Sequence, residues 1–415
     1  MVRRTTHHDD APCLAGDAQR PQPLNLGSPV GNPPGHHFRG RGAQLNPANR
    51  FESLHLNVLQ ADDPLPDAPG GRGQFIAPAD LPGTELRGAV LRGAVLPGVR
   101  TEVFADRTRS IINHVQSPDI GFNWTLNPYR GCEHGCIYCY ARPTHENLGL
   151  SSGLDFETRI IAKPDAPELL RKELGKPKWT GETIVMSGVT DCYQPVEAEL
   201  QITRRCLQVM AHARQPVAII TKNRLILRDL DYLQELARHK AVHVAISVTT
   251  LDNELAAKME PRASSPRDRL WAIRRLASAG IPVSAMVAPI IPGLNDREVP
   301  NILKAVADAG AQSAGYVLLR LPYQNKTLFE DWLTRHFPLR KPQVESLLRQ
   351  CHGGELYDSD FGTRHTGTGP YARQLTATFE LFARRYRLSD ALPPLNHNAF
   401  RRPVSHEQLG LFQAA

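Results

Sequence analysis

Three cysteines, Cys132, Cys136 and Cys139, share one short segment, Asn127-Pro-Tyr-Arg-Gly-Cys-Glu-His-Gly-Cys-Ile-Tyr-Cys-Tyr140. The spacing is C-x3-C-x2-C, with an aromatic residue just before the last cysteine. Three thiolates this close can hold three irons of a [4Fe–4S] cube and leave the fourth iron without a protein ligand. An iron with an open site can bind a small molecule and act on it, whereas an electron carrier is normally closed by a fourth cysteine. The segment also has a zinc reading. Zinc wants four ligands, usually as two separated pairs. No second pair exists here, because Cys13, Cys192, Cys206 and Cys351 are single and scattered, but His134 and His145 could complete a Cys3His site. Three cysteines within eight residues do not pair off evenly as disulfides.

Gly131 and Gly135 flank the first two cysteines. Glycine permits positive φ and lets backbone N–H groups approach cluster sulfurs closely. Arg130 adds positive charge beside an anionic cluster.

The elements that must position this segment follow a βα rhythm. A strand near residues 122–126 precedes the cysteines, and apolar runs follow at Thr183–Ser187, Val217–Thr221, Val242–Val248, Val283–Ala288 and Tyr316–Leu319. Helical stripes lie between them: Leu200, Thr203, Leu207 and Met210; Leu227, Leu230, Leu233 and Leu236; Leu270, Ile273 and Leu276; and Val299, Ile302, Leu303 and Val306. Gly280 with Pro282 just beyond, and Gly310, mark helix exits. Continuous apolar strands alternating with helices imply parallel strands. The expected fold is α/β, an incomplete TIM-like (β/α)6 barrel, with a doubly wound sheet as the alternative. Residues 1–110, rich in Pro, Gly and Arg, read as a partly disordered extension with segments that dock on the core. They include a tandem Leu-Arg-Gly-Ala-Val repeat from Leu86 and the short arginine–glycine run around Arg41. Residues 111–325 read as the core, and residues 326–415 as a mostly helical extension that caps it.

Composition bounds the function class. With 41% hydrophobic and 22% charged residues the chain is an ordinary globular protein. No run of eighteen apolar residues is present, so no membrane association is expected, and the first residues lack the apolar stretch of a signal peptide. Seven cysteines without a disulfide-like framework fit a reducing, cytoplasmic location. The net charge of +7 permits a nucleic-acid partner without demanding one.

The cysteine segment after the first strand, with the βα repeats that follow, resembles the radical S-adenosylmethionine enzymes over about residues 115–325. In finer detail it is similar to their spore photoproduct lyase branch, with Tyr140 after Cys139 as in that branch. The resemblance implies a [4Fe–4S] cluster on Cys132, Cys136 and Cys139, with S-adenosylmethionine as the second cofactor. It implies reductive cleavage to a 5′-deoxyadenosyl radical that abstracts hydrogen from a substrate. An external electron donor such as flavodoxin or ferredoxin would be needed. Nucleic acid is the family-level substrate class; a peptide or small molecule is the alternative, and a non-catalytic zinc scaffold is the reading from another class.

The resemblance also assigns residues at the strand ends. Tyr138 is the aromatic of the motif. Thr190 and Asp191 stand where the family holds the methionine amino group, Lys222 where it contacts the methionine carboxylate, and Ser247 where a serine serves the cofactor. Cys192 stands near the place of a hydrogen-donating cysteine, but after Thr190-Asp191 rather than before, so the register differs. A packed thiol is its other reading. Arg320 ends the last strand and faces either substrate or a carboxylate. Glu260 and Arg262 read as an ion pair at the rim.

Overall fold

The computed structural model describes residues 38, 40–51 and 100–403. The tandem repeat from Leu86 and Cys13 lie outside the described residues.

Mostly apolar segments form the parallel strands of the core. Short strands β1 (Glu102–Ala105) and β2 (Ile112–His114) lead to β3 (Trp124–Leu126) and β4 (Tyr129–Arg130). Helix α1 (Asp155–Thr158), strand β5 (Arg159–Ala162) and helix α2 (Ala166–Gly175) follow the cysteines. The regular alternation begins with β6 (Ile184–Met186), α3 (Glu197–Leu200) and α4 (Ile202–Ala213). It continues through β7 (Val217–Thr221), α5 (Leu230–Arg238), β8 (Val242–Ser247), α6 (Asn253–Met259) and α7 (Pro266–Ser278). It closes with β9 (Val283–Ile290), α8 (Val299–Asp308) and β10 (Ser313–Leu318). Helices α9 (Asn325–His336), α10 (Lys341–Cys351) and α11 (Gly369–Arg385) end the fold.

The main sheet has the order β10-β9-β8-β7-β6-β3-β2. Its strands from β3 to β10 pair parallel, and β2 runs antiparallel at the edge. The six parallel strands therefore stand side by side in chain order, without the reversal that defines a doubly wound sheet. Among the described residues β10 and β2 do not pair, so the sheet is an open, partial one. A second, three-stranded sheet, β1-β5-β4, sits beside the cysteine segment.

Helix stripes and caps agree with the alternation. Ile273 and Leu276 of α7 are fully buried, Ser265 caps that helix by accepting from the Asp268 N–H at 3.1 Å, and Pro266 fills its first turn. The helix expected from Glu199 to Ala213 is interrupted. Gln201 has φ +52°, and the buried Glu197 carboxylate accepts the N–H groups of Thr203 and Arg204 that begin the next helix. A side chain thus satisfies donors that a continuous helix would satisfy internally.

Residues 40–51 dock on the core rather than standing free. Gly42 and Ala43 donate their N–H groups to the Glu157 carboxylate at 3.0 and 2.8 Å, and Arg41 reaches the Glu157 carbonyl at 2.7 Å. Arg41 to Ala43 of the arginine–glycine run form a buried strap against the cysteine segment.

Candidate functional site

Parallel strands in chain order put their C-terminal ends along one edge, and every segment the sequence singled out follows such an end. The cysteine segment follows β3, Asp191 follows β6, Lys222 follows β7, Ser247 ends β8 and Arg320 follows β10.

The cysteine segment is built by its surroundings. Gly131 and Gly135 have φ of +76° and +66°, and a Cβ at Gly135 would lie 2.7 Å from the Glu157 carboxylate. Arg142, fully buried, donates to the Cys136 carbonyl at 3.0 and 2.9 Å and pairs with Glu157 at 2.5 Å. Tyr129, at the start of the segment, gives its hydroxyl to buried Glu197, which Arg228 also holds at 2.6 Å. From α9, the Asn325 amide donates to the Cys139 carbonyl at 2.8 Å.

Cys132 and Cys136 are nearly buried and Cys139 is partly exposed. Burial, followed by neighbouring negative groups, raises the Cys132 and Cys136 thiols; burial raises Cys139 against the pull of Arg142. All three are free thiols that sense one another's charge. A ligand thiol must lose its proton, so loading this site with metal releases protons.

The donor set can be tested against the two metals. Among the described residues no three His, Cys, Asp or Glu side chains converge at single-ion distances. A cubane spreads its three thiolates over separate irons and asks for less convergence. Each histidine that could complete a zinc site has Nε2 beside a neighbour and a buried Nδ1 without a hydrogen-bond partner. His134 sits with Nδ1 3.3 Å from Asp191, without hydrogen-bond alignment, and Nε2 3.3 Å from the Asn223 amide. His145 is fully buried with Nε2 3.0 Å from the Arg159 carbonyl, which fixes it as a donor. The loop offers three free thiols, the donor type that a cluster would take.

Around them the expected residues fall as follows. Tyr138 is buried and gives its hydroxyl to Glu260, which is paired with the buried Arg269. Burial works against the Glu260 carboxylate, yet Arg269 and then Lys222 hold it below the usual range. The pairing expected between Glu260 and Arg262 does not occur: Arg262 binds Glu133 at 3.0 Å instead. Lys222 places its ammonium 5.8 Å from the Tyr138 ring, and its charge is felt at Cys136, Cys139 and Glu260. Among the described residues no carboxylate forms an ion pair with it. Ser247 is buried at the end of β8, and its carbonyl accepts from Arg269 at 3.2 Å.

Asp191 is committed to its own chain. It accepts from the Lys222 N–H at 2.8 Å, the Thr221 hydroxyl at 2.8 Å and the Tyr193 N–H at 2.9 Å. Burial alone would raise it, but His134 and these donors hold it below its ordinary value. Thr190 is buried and donates to the Tyr129 carbonyl at 3.0 Å. Cys192 is 0% exposed and belongs to the main apolar core. Those surroundings match its packed-thiol reading. Tyr140 is 50% exposed, with its hydroxyl on the Gly188 carbonyl at 2.6 Å. Desolvation, then Cys139, pushes its phenol up to about 12.

Sequence reasoning missed Ser187, Glu197 and Asn325, and it expected docking segments in the extension without placing them. Ser187 has φ +72°, a conformation rare for a residue with a Cβ, and its hydroxyl accepts from the Cys192 N–H at 2.9 Å. It sets the course of the loop that carries Thr190 and Asp191. A serine in an apolar strand end gives no signal of that.

Comparison with known proteins decides the family. The family model described as "Radical SAM superfamily" matches residues 126–306. An uncharacterized protein of Mycobacterium tuberculosis is 35% identical over 245 residues, which is 58% of this chain and 72% of that protein. The chain belongs to the radical SAM superfamily. An uncharacterized protein of Methanocaldococcus jannaschii is 30% identical over 201 residues, 48% of this chain and 71% of its own length. Among solved structures, spore photoproduct lyase complexed with dinucleoside spore photoproduct matches with a TM-score of 0.49 and 16% identity. That match covers 68% of this chain and 78% of the other. Membership classes the chain as a radical SAM enzyme, and no helix among the described residues is long and apolar enough to cross a membrane.

Proposed function

We propose that Cys132, Cys136 and Cys139 hold a [4Fe–4S] cluster within a partial (β/α)6 barrel, and that the chain is a lyase-like radical SAM enzyme. The observation that carries this reading is the Lys222 ammonium, with which no carboxylate forms an ion pair among the described residues, set against the cysteine loop. When bound, the cluster supplies the electron that cleaves S-adenosylmethionine and so generates the 5′-deoxyadenosyl radical that takes hydrogen from a substrate.

The chain's own residues then have these tasks. Lys222 binds the methionine carboxylate, and Asp191 fixes Lys222 through its backbone N–H. Thr190 and Ser247 line the buried side of the cofactor site, and Tyr138, tied to Glu260, forms a rigid wall for it. Tyr140 faces substrate at the open side. The charge of +7 suits a polyanionic substrate, nucleic acid, whose binding would weaken as salt rises. An external one-electron donor, flavodoxin or ferredoxin in type, reduces the site.

Purification without oxygen tests the metal assignment. The protein is expected to be brown, with about four irons and about four sulfides per chain. Colourless protein carrying one zinc would overturn the reading.

A further inference from the structure

The last parallel strand, β10, leads into Arg320 beside Tyr140. The Arg320 guanidinium lies 5.5 Å from the ring centre of Tyr140 and 5.9 Å from that of Tyr357. Its Nη2 donates to the Tyr357 hydroxyl at 3.2 Å, and its Nη1 lies 3.1 Å from His365 Nε2. An arginine has only donors, so His365 accepts at Nε2 and carries its proton on Nδ1. Burial, then Arg320 and Arg364, lowers the His365 pKa and keeps the ring neutral. The Arg320 Nε–H is buried and has no acceptor.

The other arginines that build this region are all compensated. Arg142 pairs with Glu157, Arg228 with Glu197, Arg262 with Glu133, Arg269 with Glu260 and Arg364 with Asp119. Among the described residues Arg320 has no carboxylate partner. A guanidinium held by neutral groups, with one buried donor unused, is costly to keep. It is also the arrangement that recognises an oxyanion, because the planar fork offers parallel N–H groups to two oxygens.

We propose that Arg320, oriented by Tyr357 and His365, binds an oxyanion of the substrate, a phosphate or a carboxylate, against the ring of Tyr140. Tyr140 directly follows Cys139, so an anion held here brings the adjoining substrate atoms up to the cysteine loop. The proposal rests on the radical SAM reading only for where the reaction takes place.

Inorganic phosphate and acetate serve as probes of the anaerobically purified full chain, followed by the line widths of their ³¹P and ¹³C resonances. Saturable broadening is expected for at least one. Phosphate alone would assign a phosphate-bearing substrate, and acetate alone a carboxylate-bearing one. Arg320→Met should weaken that binding at least roughly tenfold, the scale of one charge-assisted contact. Arg320→Lys, which keeps the charge and loses the fork, should weaken it less, and it serves if the methionine variant does not fold. Arg384→Met, on the outer helix α11, should leave it unchanged. Binding equal to wild type in Arg320→Met, or no saturation with either probe, would overturn the proposal. So would competitive displacement of the probe by S-adenosylmethionine, which would give Arg320 to the cofactor. The titration requires neither reductant nor turnover, so it can fail while the cluster reading stands, and the reverse.

Discussion

Two single side chains give sharp expectations. Among the described residues no carboxylate pairs with the Lys222 ammonium, whose charge is felt at Cys136. Lys222→Met should weaken S-adenosylmethionine binding by roughly tenfold to a hundredfold, the worth of a charge-assisted hydrogen bond, with iron content unchanged. Equilibrium dialysis of the cofactor against the reconstituted variant checks this, and unchanged affinity would remove Lys222 from the site. His145 gives a pH signature. Burial pushes its native pKa down to about 4 from 6.5. Between those values the unfolded chain binds a proton that the native chain does not, so stability falls as pH drops through that window. The loss should approach about 3 kcal/mol, the free-energy equivalent of that shift. Urea unfolding at pH 7 and pH 4.5 should show the difference shrinking in His145→Gln, whose amide still donates to the Arg159 carbonyl.

Elements hold these side chains in register, and their joints are where substitutions should hurt. Glu260, after α6, and Arg269, in α7, form a buried pair that also anchors Tyr138. Glu260→Gln leaves a buried guanidinium without its counter-charge and should cost roughly 3–5 kcal/mol in denaturant unfolding. A loss under one kilocalorie would show that water or another carboxylate replaces Glu260. The strap is the second joint. A Cβ at Gly42 would lie 1.9 Å from the Gly135 carbonyl oxygen, between the first two cysteines. Gly42→Ala should displace the strap and lower iron per chain after anaerobic purification, with the far-UV spectrum retained. Full iron retention would make the strap dispensable to the loop.

Across the whole molecule, what could be read from the sequence divides by the range of the interaction. The six parallel strands were legible because each is a short apolar run between helical stripes, a local signal. The cysteine loop was legible because its ligands lie within eight residues. The break at Gln201 was not, since it depends on the Glu197 carboxylate meeting the N–H groups of Thr203 and Arg204. Glu260 found Arg269 rather than its neighbour Arg262 because α7 packs that guanidinium beneath the site. The strap joins residues more than a hundred positions apart, through contacts such as Gly42 with Glu157, and composition pointed to docking segments in this region without locating them. Cys192 was ambiguous for the same reason: its depth depends on how the loop after β6 folds back over the core.

At one edge of the sheet three cysteines meet Lys222, which no carboxylate pairs with among the described residues. The central proposal is that this edge cleaves S-adenosylmethionine. The direct measurement is 5′-deoxyadenosine formed by reconstituted, dithionite-reduced protein, with Cys136→Ala alongside. The account predicts steady formation by the wild type and none by the variant. Equal formation by both, or none by an iron-loaded wild type, would contradict it.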